Sequence, residues 1–296
     1  MKQNMRQKNM QAYLFLSPFL VFITVLYILP AILTVIMAFT SLDSAFIWKF
    51  NGINNFRKIL MDPNTSIIAW NTVKYVGITI FLTVVLDLFF AIMTTYFIRD
   101  ERKGNIFKSI LMIPMITPAV VYSVLWLWLL EATPNGLANK VYMALGGSEP
   151  LNWIAKYPFV IVIAATLLTS IAYGTTVFSS AVKSIPENQF RAARVDGAGE
   201  WEIVRNIILP NLRFHITFIA LWETLGLLTN YVTIMLITNG GPGVQTEVWA
   251  LSAYHKAFSD SQYGYGAAIS LVLIVVVMVL MLVIGAVMHQ QEKSRS

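Results

Sequence analysis

The chain has 296 residues, of which 57% are hydrophobic and 12% charged, with a formal net charge of +6 and a mean hydropathy of +0.66. Soluble domains carry roughly 25% charged residues, so this chain lacks the polar surface that a water-soluble particle of its length needs. It has no cysteine, which excludes disulfides and thiolate metal sites, and its basic residues lie at the ends of apolar runs, which argues against nucleic acid as a partner.

Six long apolar runs follow a short polar tail. Residues 1–11 are polar and basic, and the run after them is too long for a removable signal peptide and lacks its small-residue cleavage site. Because about 20 apolar residues cross a bilayer as a helix, we predict an all-α integral membrane protein with a cytoplasmic tail and one transmembrane domain, residues 12–296. The predicted spans are residues 12–39, 73–98, 107–130, 158–182, 214–238 and 265–287.

The third of these runs contains two prolines, Pro114 and Pro118. Proline removes a backbone donor from a helix, and such breaks are tolerated in a membrane where neighbouring helices satisfy the freed groups. We therefore expect the third span to be kinked.

The distribution of basic residues predicts the orientation in the membrane. Two-thirds of the Lys and Arg residues fall in the N-terminal tail, the second-to-third connection, the fourth-to-fifth connection and the C-terminal tail. Basic residues are enriched in cytoplasmic loops, so this side is predicted to be cytoplasmic. Both termini then lie in the cytoplasm, as an even number of spans requires, in a multi-pass membrane protein.

The fourth-to-fifth connection, residues 183–213, is long and amphipathic. Pro186 and Glu187 are typical of a helix start, with proline in the first turn and an acid near the positive end of the helix dipole. Gly197 and Gly199 are expected to end that helix, because glycine readily adopts the left-handed conformation of a helix stop.

A second short helix is predicted at residues 200–208, and Pro210 is expected to break it. The two helices and the glycine turn would then lie at the membrane surface. Two interpretations are open on physical grounds. The connection is either an interfacial connector that rides on the lipid headgroups, or a docking site for a cytoplasmic partner.

The residues of this connection resemble the cytoplasmic signature loop, the EAA loop, of binding-protein-dependent importer permeases. The match runs from Ala192-Ala193 through Asp196-Gly197-Ala198 to Leu209-Pro210. In that family the first helix of the loop inserts into a cleft of the ATP-binding-cassette subunit and transmits its closure. Arg191 stands where relatives usually have an acid, which removes one ion pair that they can form with the ATPase. The resemblance implies an ATPase-coupling site that comprises Arg191, Ala192, Ala193, Asp196, Gly197, Ala198, Leu209 and Pro210.

The turn after the fifth predicted span limits the resemblance to one group of these permeases. Residues 236–247 read Leu-Ile-Thr-Asn-Gly-Gly-Pro-Gly-Val-Gln-Thr-Glu and look like the glycine-proline turn of carbohydrate-importer permeases of the maltose or glycerol-phosphate type. Asn239 replaces the first glycine of that pattern, and asparagine also reaches left-handed backbone angles. The resemblance covers essentially the whole chain. It implies one membrane-spanning subunit of an ATP-driven importer of mono- or oligosaccharides.

The resemblance also implies an assembly in the inner (plasma) membrane of a prokaryote. The partners would be a homologous second permease, two ATP-binding-cassette subunits, an extracytoplasmic sugar-binding protein and membrane lipid. ATP and magnesium would bind to the partner ATPase, so no cofactor, metal site or enzymatic activity is expected in this chain. The alternative function is a self-contained secondary transporter or channel, a class that tends to show internal repeats and charged relay residues. The sequence shows no convincing repeat.

Two carboxylates lie inside predicted spans, where a charge normally faces protein, a partner charge or a wet cavity. We expect Glu223 to face a cavity, because its span also supplies the aromatic faces and hydrogen-bonding groups that sugars require. The alternative is a contact between Glu223 and the partner permease. Asp87 is expected to make such an interhelical polar contact with the partner permease. The predicted substrate path comprises Trp222, Glu223, Thr229, Asn230 and Tyr231.

Overall fold

A computed structural model describes the backbone of residues 14–293 and the side chains as far as residue 286. The predicted tail at residues 1–11 lies outside the described residues. Within residues 14–293 the backbone is mostly helical and forms no strand, with one isolated β-bridge between Thr40 and Phe50. The predicted all-α membrane class agrees with this architecture.

The helices follow the apolar runs and the turn signals of the sequence. In chain order they are α1 (Leu14–Ala38), α2 (Asn54–Met61), α3 (Thr65–Phe97), α4 (Glu101–Ile116), α5 (Ala119–Leu129), α6 (Leu137–Ala144), α7 (Trp153–Lys156), α8 (Pro158–Lys183), α9 (Glu187–Val195), α10 (Glu200–Ile203, Val204–Ile208 and Leu209–Thr229, without a break), α11 (Val232–Ile237), α12 (Trp249–Tyr254) and α13 (Tyr263–Lys293).

The described chain divides into two compact units. The first contains the described residues as far as Asp62 together with Ser252–Ile274. Its centre is the junction that follows α1, where the buried Asn55 side chain donates hydrogen bonds to the carbonyls of Ala38 (2.9 Å) and Thr40 (2.7 Å). These bonds fix α2 against the end of α1.

The second unit contains Pro63–Leu251 and the described residues from Val275 onward. Its central helix is α8, half of whose most apolar window is buried, and α3, α4 and α10 pack against it. A buried hydrophobic cluster joins α3, α8, α9 and α10 and includes Phe178, Phe190, Ile208 and Leu212. This cluster places the connection after α8 in direct contact with the membrane-spanning helices.

Among the residues that the structure describes, four helices are long and apolar enough to cross a membrane by themselves. They are Leu14–Ala38, Thr65–Phe97, Pro158–Lys183 and Tyr263–Ala286, and they correspond to the first, second, fourth and sixth predicted spans. The pair α4 and α5 provides a fifth crossing if it is counted as one broken span. The chain is therefore a multi-pass membrane protein, while the count of six stays a prediction.

The third predicted span, residues 107–130, is more strongly bent than expected. Pro114 remains inside α4, whereas Pro118 separates α4 from α5, and the two helices meet at 95°. The physical reason lies in the residue before the proline, because the Pro118 ring disfavours helical angles at Thr117. Thr117 has an extended conformation (ψ 129°), so α4 ends at Ile116.

The fifth predicted span, residues 214–238, is also interrupted. α10 ends at Thr229, Asn230 is extended (ψ 115°), and α11 begins at Val232. The Asn230 side-chain oxygen accepts a hydrogen bond from the backbone N–H of Val232 (3.2 Å). Such a local side-chain bond offers the backbone an alternative to the helical ladder, and it explains a break without glycine or proline.

The prediction that Pro210 breaks the second short helix of the connection is wrong. The helix that begins at Glu200 continues through Pro210 to Thr229. A π-helical turn, Val204–Ile208, immediately precedes the proline, and the Leu209 N–H bonds to the Val204 carbonyl. Wider π-type turns re-route backbone hydrogen bonds, so proline is accommodated near the start of the next α-helical segment.

Candidate functional site

The connection between α8 and α10 is a compact turn built on α9. The N–H of Ala198 bonds to the carbonyl of Ala193 (2.9 Å) and the N–H of Gly197 to that of Arg194 (3.2 Å). This pair of bonds is the Schellman arrangement, which closes a helix with a left-handed residue after its cap. Gly197 has φ +83°, and a Cβ there would meet no atom within 4 Å. Backbone conformation, rather than space, therefore favours glycine at this position.

One face of α9 is bound to the membrane-spanning helices. Phe190 is buried in the cluster with Ile203, Ile208 and Leu212, and Ala193 and Ala198 pack against the same cluster. The Tyr96 ring, near the end of α3, lies 5.7 Å from the Phe190 ring. A displacement of α9 must therefore also move α3 or α10.

Polar contacts strengthen the same attachment. The Tyr96 hydroxyl donates a hydrogen bond to the Glu200 carboxylate and accepts one from Arg194 (3.5 Å). Lys183, at the end of α8, forms an ion pair with Glu101, at the start of α4 (2.6 Å). Both partners of the ion pair are solvent-exposed, and such pairs contribute little stability. The hydroxyl of Tyr96 is the contact that joins α3, α9 and α10.

The opposite face of α9 and the following turn are exposed. Val195 is 87% exposed and Trp201 is 72% exposed, so two large apolar side chains lie at the surface of a largely polar connection. Ala192, Asp196 and Gly197 are exposed next to them. These five residues, Ala192, Val195, Asp196, Gly197 and Trp201, are called the loop face below.

The loop face contains some of the predicted coupling residues but not all. Ala192, Asp196 and Gly197 belong to it, and Arg191 is exposed beside it in an ion pair with Glu187 of the same helix (3.8 Å). Ala193, Ala198 and Leu209 are half-buried against the cluster, and Pro210 is exposed on α10. The residues of the motif thus divide between an exposed surface and the packing that supports it.

Two residues of this region were missed as site residues. Trp201 lies in the second predicted helix of the connection, and it is largely exposed. Tyr96 lies about a hundred positions earlier in the chain, so no local sequence pattern connects it with Glu200. The signal in the sequence that could have identified Trp201 is the presence of a tryptophan in a connection rich in polar residues.

The residues predicted to line a substrate path lie together at the end of α10. Trp222 is 56% exposed, with its ring 6.4 Å from that of Tyr173 on α8. Glu223 is half-buried, and Thr229, Asn230 and Tyr231 form the break between α10 and α11. The arrangement places aromatic surface, a carboxylate and irregular backbone on one segment.

Asp87 on α3 lies in the interior of the chain. It is fully buried, and its Oδ1 accepts hydrogen bonds from the backbone N–H and the hydroxyl of Thr175 on α8 (both 3.0 Å). A Cβ at Gly174 would collide with its carboxylate. Asp87 therefore makes an interhelical contact, but with α8 of the same chain and not, as predicted, with a partner permease.

The glycine-proline turn after α11 has the expected conformation. Asn239 (φ +48°), Gly240 (φ +81°) and Gly243 (φ +60°) are all left-handed. The Asn71 side chain of α3 donates hydrogen bonds to the carbonyls of Val244 (2.8 Å) and Glu247 (3.2 Å). The turn is thereby fixed to the start of α3.

Known proteins share both the sequence pattern and the fold. The sequence profile of the family described as binding-protein-dependent transport system inner membrane component matches residues 87–295. The trehalose/maltose transport system permease protein MalF of Thermococcus litoralis is 27% identical over 261 residues, which cover 86% of this chain and 86% of that protein. The arabinooligosaccharides transport system permease protein AraP of Bacillus subtilis is 27% identical over 264 residues, 88% of this chain and 83% of that protein.

A solved structure has the same fold over nearly the whole chain. It is a chain of a bacterial alginate ABC transporter crystallised with an alginate pentasaccharide-bound periplasmic protein. The TM-score is 0.82 at 18% identity, and the alignment covers 94% of this chain and 93% of that one.

Proposed function

The chain belongs to the family of binding-protein-dependent transport system inner membrane components, and we propose that it is the membrane-spanning subunit of an ATP-driven sugar importer. The observation that carries this proposal is the loop face, an exposed surface with two large apolar side chains at the end of α9 and the start of α10, where the other side of α9 packs against the membrane-spanning helices. A surface of this kind transmits force between a soluble partner and the spans. A connector that only rides on headgroups has no need for such packing.

We propose six crossings, with the termini and the loop face in the cytoplasm. The pair α4 and α5 would form the third crossing, and α10 with α11 the fifth. Irregular backbone within a membrane is tolerated where it is buried in protein or lines a cavity. The bend at Pro118 and the break at Asn230 would therefore face protein or the transport path rather than lipid.

The partner of the loop face is proposed to be an ATP-binding-cassette subunit. Val195 and Trp201 would enter its cleft, and closure of two such subunits on ATP would move α9 and, through Phe190 and Tyr96, the spans. ATP and magnesium would be held by these subunits, and this chain would contribute no catalytic residue or cofactor. A homologous second permease and an extracytoplasmic sugar-binding protein would complete the assembly.

The transported molecule is proposed to be a mono- or oligosaccharide. Two relatives similar over most of the chain are described as permeases for trehalose/maltose and for arabinooligosaccharides. Trp222 would stack on a sugar ring, and Glu223, Thr229, Asn230 and Tyr231 would offer hydrogen-bonding groups to its hydroxyls. The specific sugar would be selected mainly by the external binding protein.

Ala192→Arg tests the docking surface with little risk to folding, because Ala192 is exposed in the interior of α9. The tagged chain is co-expressed with the proteins encoded beside it and purified in mild detergent. We expect an ATP-binding-cassette protein and a second permease to co-purify with the wild type, and the ATPase to be lost from Ala192→Arg.

The control is Ala132→Arg, the same change at an exposed residue between α5 and α6, which should retain the ATPase. Equal retention in both variants would refute docking on α9. A wild-type chain that purifies alone and still transports would support the secondary-transporter alternative.

A further inference from the structure

The segment between α5 and α8 folds around one buried side chain. Asn139 is fully buried, and its Nδ2 donates to the carbonyls of Glu131 (2.9 Å), Thr133 (3.2 Å) and Leu151 (3.1 Å). Its Oδ1 accepts from the backbone N–H of Leu151 (2.9 Å) and from the Trp153 indole (2.8 Å). A fully satisfied buried network of this kind rigidifies its surroundings. The surface that this segment presents is therefore preorganised.

That surface is apolar and faces outward. Leu137, Val141 and Leu145 recur at four-residue intervals along α6 and its end, and they are 48%, 54% and 83% exposed. Residues spaced by four lie on one face of a helix. An external segment in contact only with water has no reason to present such a stripe, since contiguous exposed apolar surface marks an interaction site.

The stripe borders a groove with a volume of about 430 Å³, which Leu129, Ala138, Tyr142 and Trp153 complete. The volume lies within the range of small-molecule sites, ~300–1,000 Å³. The indole N–H of Trp153 is already bonded to Asn139, so this ring offers the groove its apolar faces. A sugar would find few hydrogen-bond partners among these side chains, whereas a hydrocarbon chain needs none.

The groove continues the membrane-facing surface of α5. Leu129 is the last residue of α5, and on the same helix Leu125 and Trp128 are 52% and 64% exposed. Because α5 belongs to the bent apolar pair that is proposed to form the third crossing, a lipid chain beside it would be able to enter the groove. Two exposed lysines on the flanking helices, Lys140 of α6 and Lys156 of α7, are suited to a lipid phosphate.

We propose that this groove binds one acyl chain of a membrane phospholipid, with α6 lying in the membrane interface. Amphipathic helices lie in this plane with the apolar face towards the acyl chains, and Trp and Tyr are enriched at the same depth. The groove shares no residue with the loop face or with the proposed sugar path. It does not depend on which solute the protein transports.

The natural absence of cysteine permits a specific label. Val141→Cys in the full-length chain is labelled with bimane and reconstituted in phosphatidylglycerol-containing vesicles, with either plain or chain-brominated phospholipid. We expect brominated lipid to reduce the fluorescence at least twofold, and aqueous iodide to have a small effect. At Glu149→Cys, an exposed polar residue of the same segment, we expect strong quenching by aqueous iodide and a small effect of brominated lipid. Strong iodide quenching and no bromine quenching at position 141 would refute the proposal and indicate a water-facing surface for a protein partner.

Occupancy of the groove itself requires a second variant. A phospholipid with a photoactivatable acyl chain is crosslinked to the reconstituted chain, and labelled peptides are mapped. Ala138→Trp fills the groove and should reduce crosslinking to α6 and α7 several-fold, whereas Ala132→Trp, outside the groove, should not. Undiminished crosslinking in a folded Ala138→Trp variant would mean that lipid covers the helix without entering the groove.

Discussion

Asp87 ends a stripe of buried polar side chains on α3. Tyr75, Thr79, Thr83 and Asp87 follow one another at four-residue intervals and are all buried. The Tyr75 hydroxyl pairs with Thr166 on α8 (3.1 Å) and Asp87 with Thr175. In a membrane, hydrogen bonds and close packing, rather than apolar burial, hold helices together. This stripe therefore defines the interface between α3 and α8.

The contact at Asp87 depends on the absence of a side chain at residue 174. Gly174→Ala places a methyl group in the space occupied by the Asp87 carboxylate, and overpacking of this kind costs ~1–3 kcal/mol. We expect a lower apparent melting temperature of the detergent-solubilised protein, measured by loss of monodisperse protein after heating.

Gly77→Ala on α3 is the matched control for that variant. A Cβ at Gly77 meets no atom within 4 Å, and alanine is favoured over glycine in helix interiors by ~1 kcal/mol. The melting temperature should be unchanged or slightly higher. If both variants melt alike, the close approach of α8 to Asp87 does not contribute to stability.

Helix α9 has two faces that differ in their contacts. Phe190, Ala193 and Val195 are small or apolar residues of this helix, and from the sequence alone each could face either side. The structure separates them, with Phe190 in the cluster and Val195 largely exposed. The inner face anchors the helix, and the outer face is available to a partner.

This division predicts opposite results for two alanine substitutions. Phe190→Ala empties a buried site, which typically costs 3–5 kcal/mol, and should lower the melting temperature of the purified chain. Val195→Ala should leave the melting temperature unchanged, because the side chain is 87% exposed, but should weaken binding of the ATPase severalfold in a pull-down. Destabilisation by Val195→Ala, or none by Phe190→Ala, would contradict the assignment of the faces.

The Tyr96 hydroxyl provides a test of force transmission. Tyr96→Phe keeps the ring against Phe190 but removes the bonds to Glu200 and Arg194. A hydrogen bond contributes ~0.5–1.5 kcal/mol, so we expect a roughly two- to tenfold fall in sugar transported per ATP hydrolysed. Tyr157→Phe, at an exposed tyrosine next to α8, should leave that ratio unchanged. An unaltered ratio in Tyr96→Phe would show that the hydroxyl is not part of the coupling.

The helices could be predicted where the length of an apolar run is sufficient to define them. A break could be predicted where the covalent structure of a residue causes it. Pro118 restricts Thr117 by its ring, so a bend was expected there. The break at Asn230 depends on a side-chain bond to the backbone, which the local sequence permits but does not require. Continuity through Pro210 depends on a π-helical turn that has no established sequence signal.

Contacts between distant residues were the least predictable part of the candidate site. The Ala-Ala, Asp-Gly-Ala and Leu-Pro residues of the connection indicated the family of the chain. Gly197 indicated where the connection turns. The attachment of that connection through Tyr96, and of the later glycine-proline turn through Asn71, joins residues far apart in sequence. Such contacts follow from the packing of whole helices rather than from any local pattern.

The chain as a whole combines elements that have different partners. The spans contact lipid, the loop face is proposed to bind an ATPase, and the segment around Asn139 lies at the other end of α8. Membership of the family of binding-protein-dependent transport system inner membrane components supports the proposal that Val195 and Trp201, which are exposed outside the spans, contact a partner. In the proposed assembly, ATP hydrolysis by another subunit drives transport through this chain.

Uptake into proteoliposomes tests that claim most directly. The chain is reconstituted with its co-purifying permease and ATPase, with the binding protein and a radiolabelled sugar that it retains outside, and with ATP or ADP enclosed. We predict uptake only with ATP and binding protein together, its loss in Ala192→Arg and its retention in Ala132→Arg. Uptake by the chain alone, driven by an ion gradient and indifferent to ATP, would contradict the account.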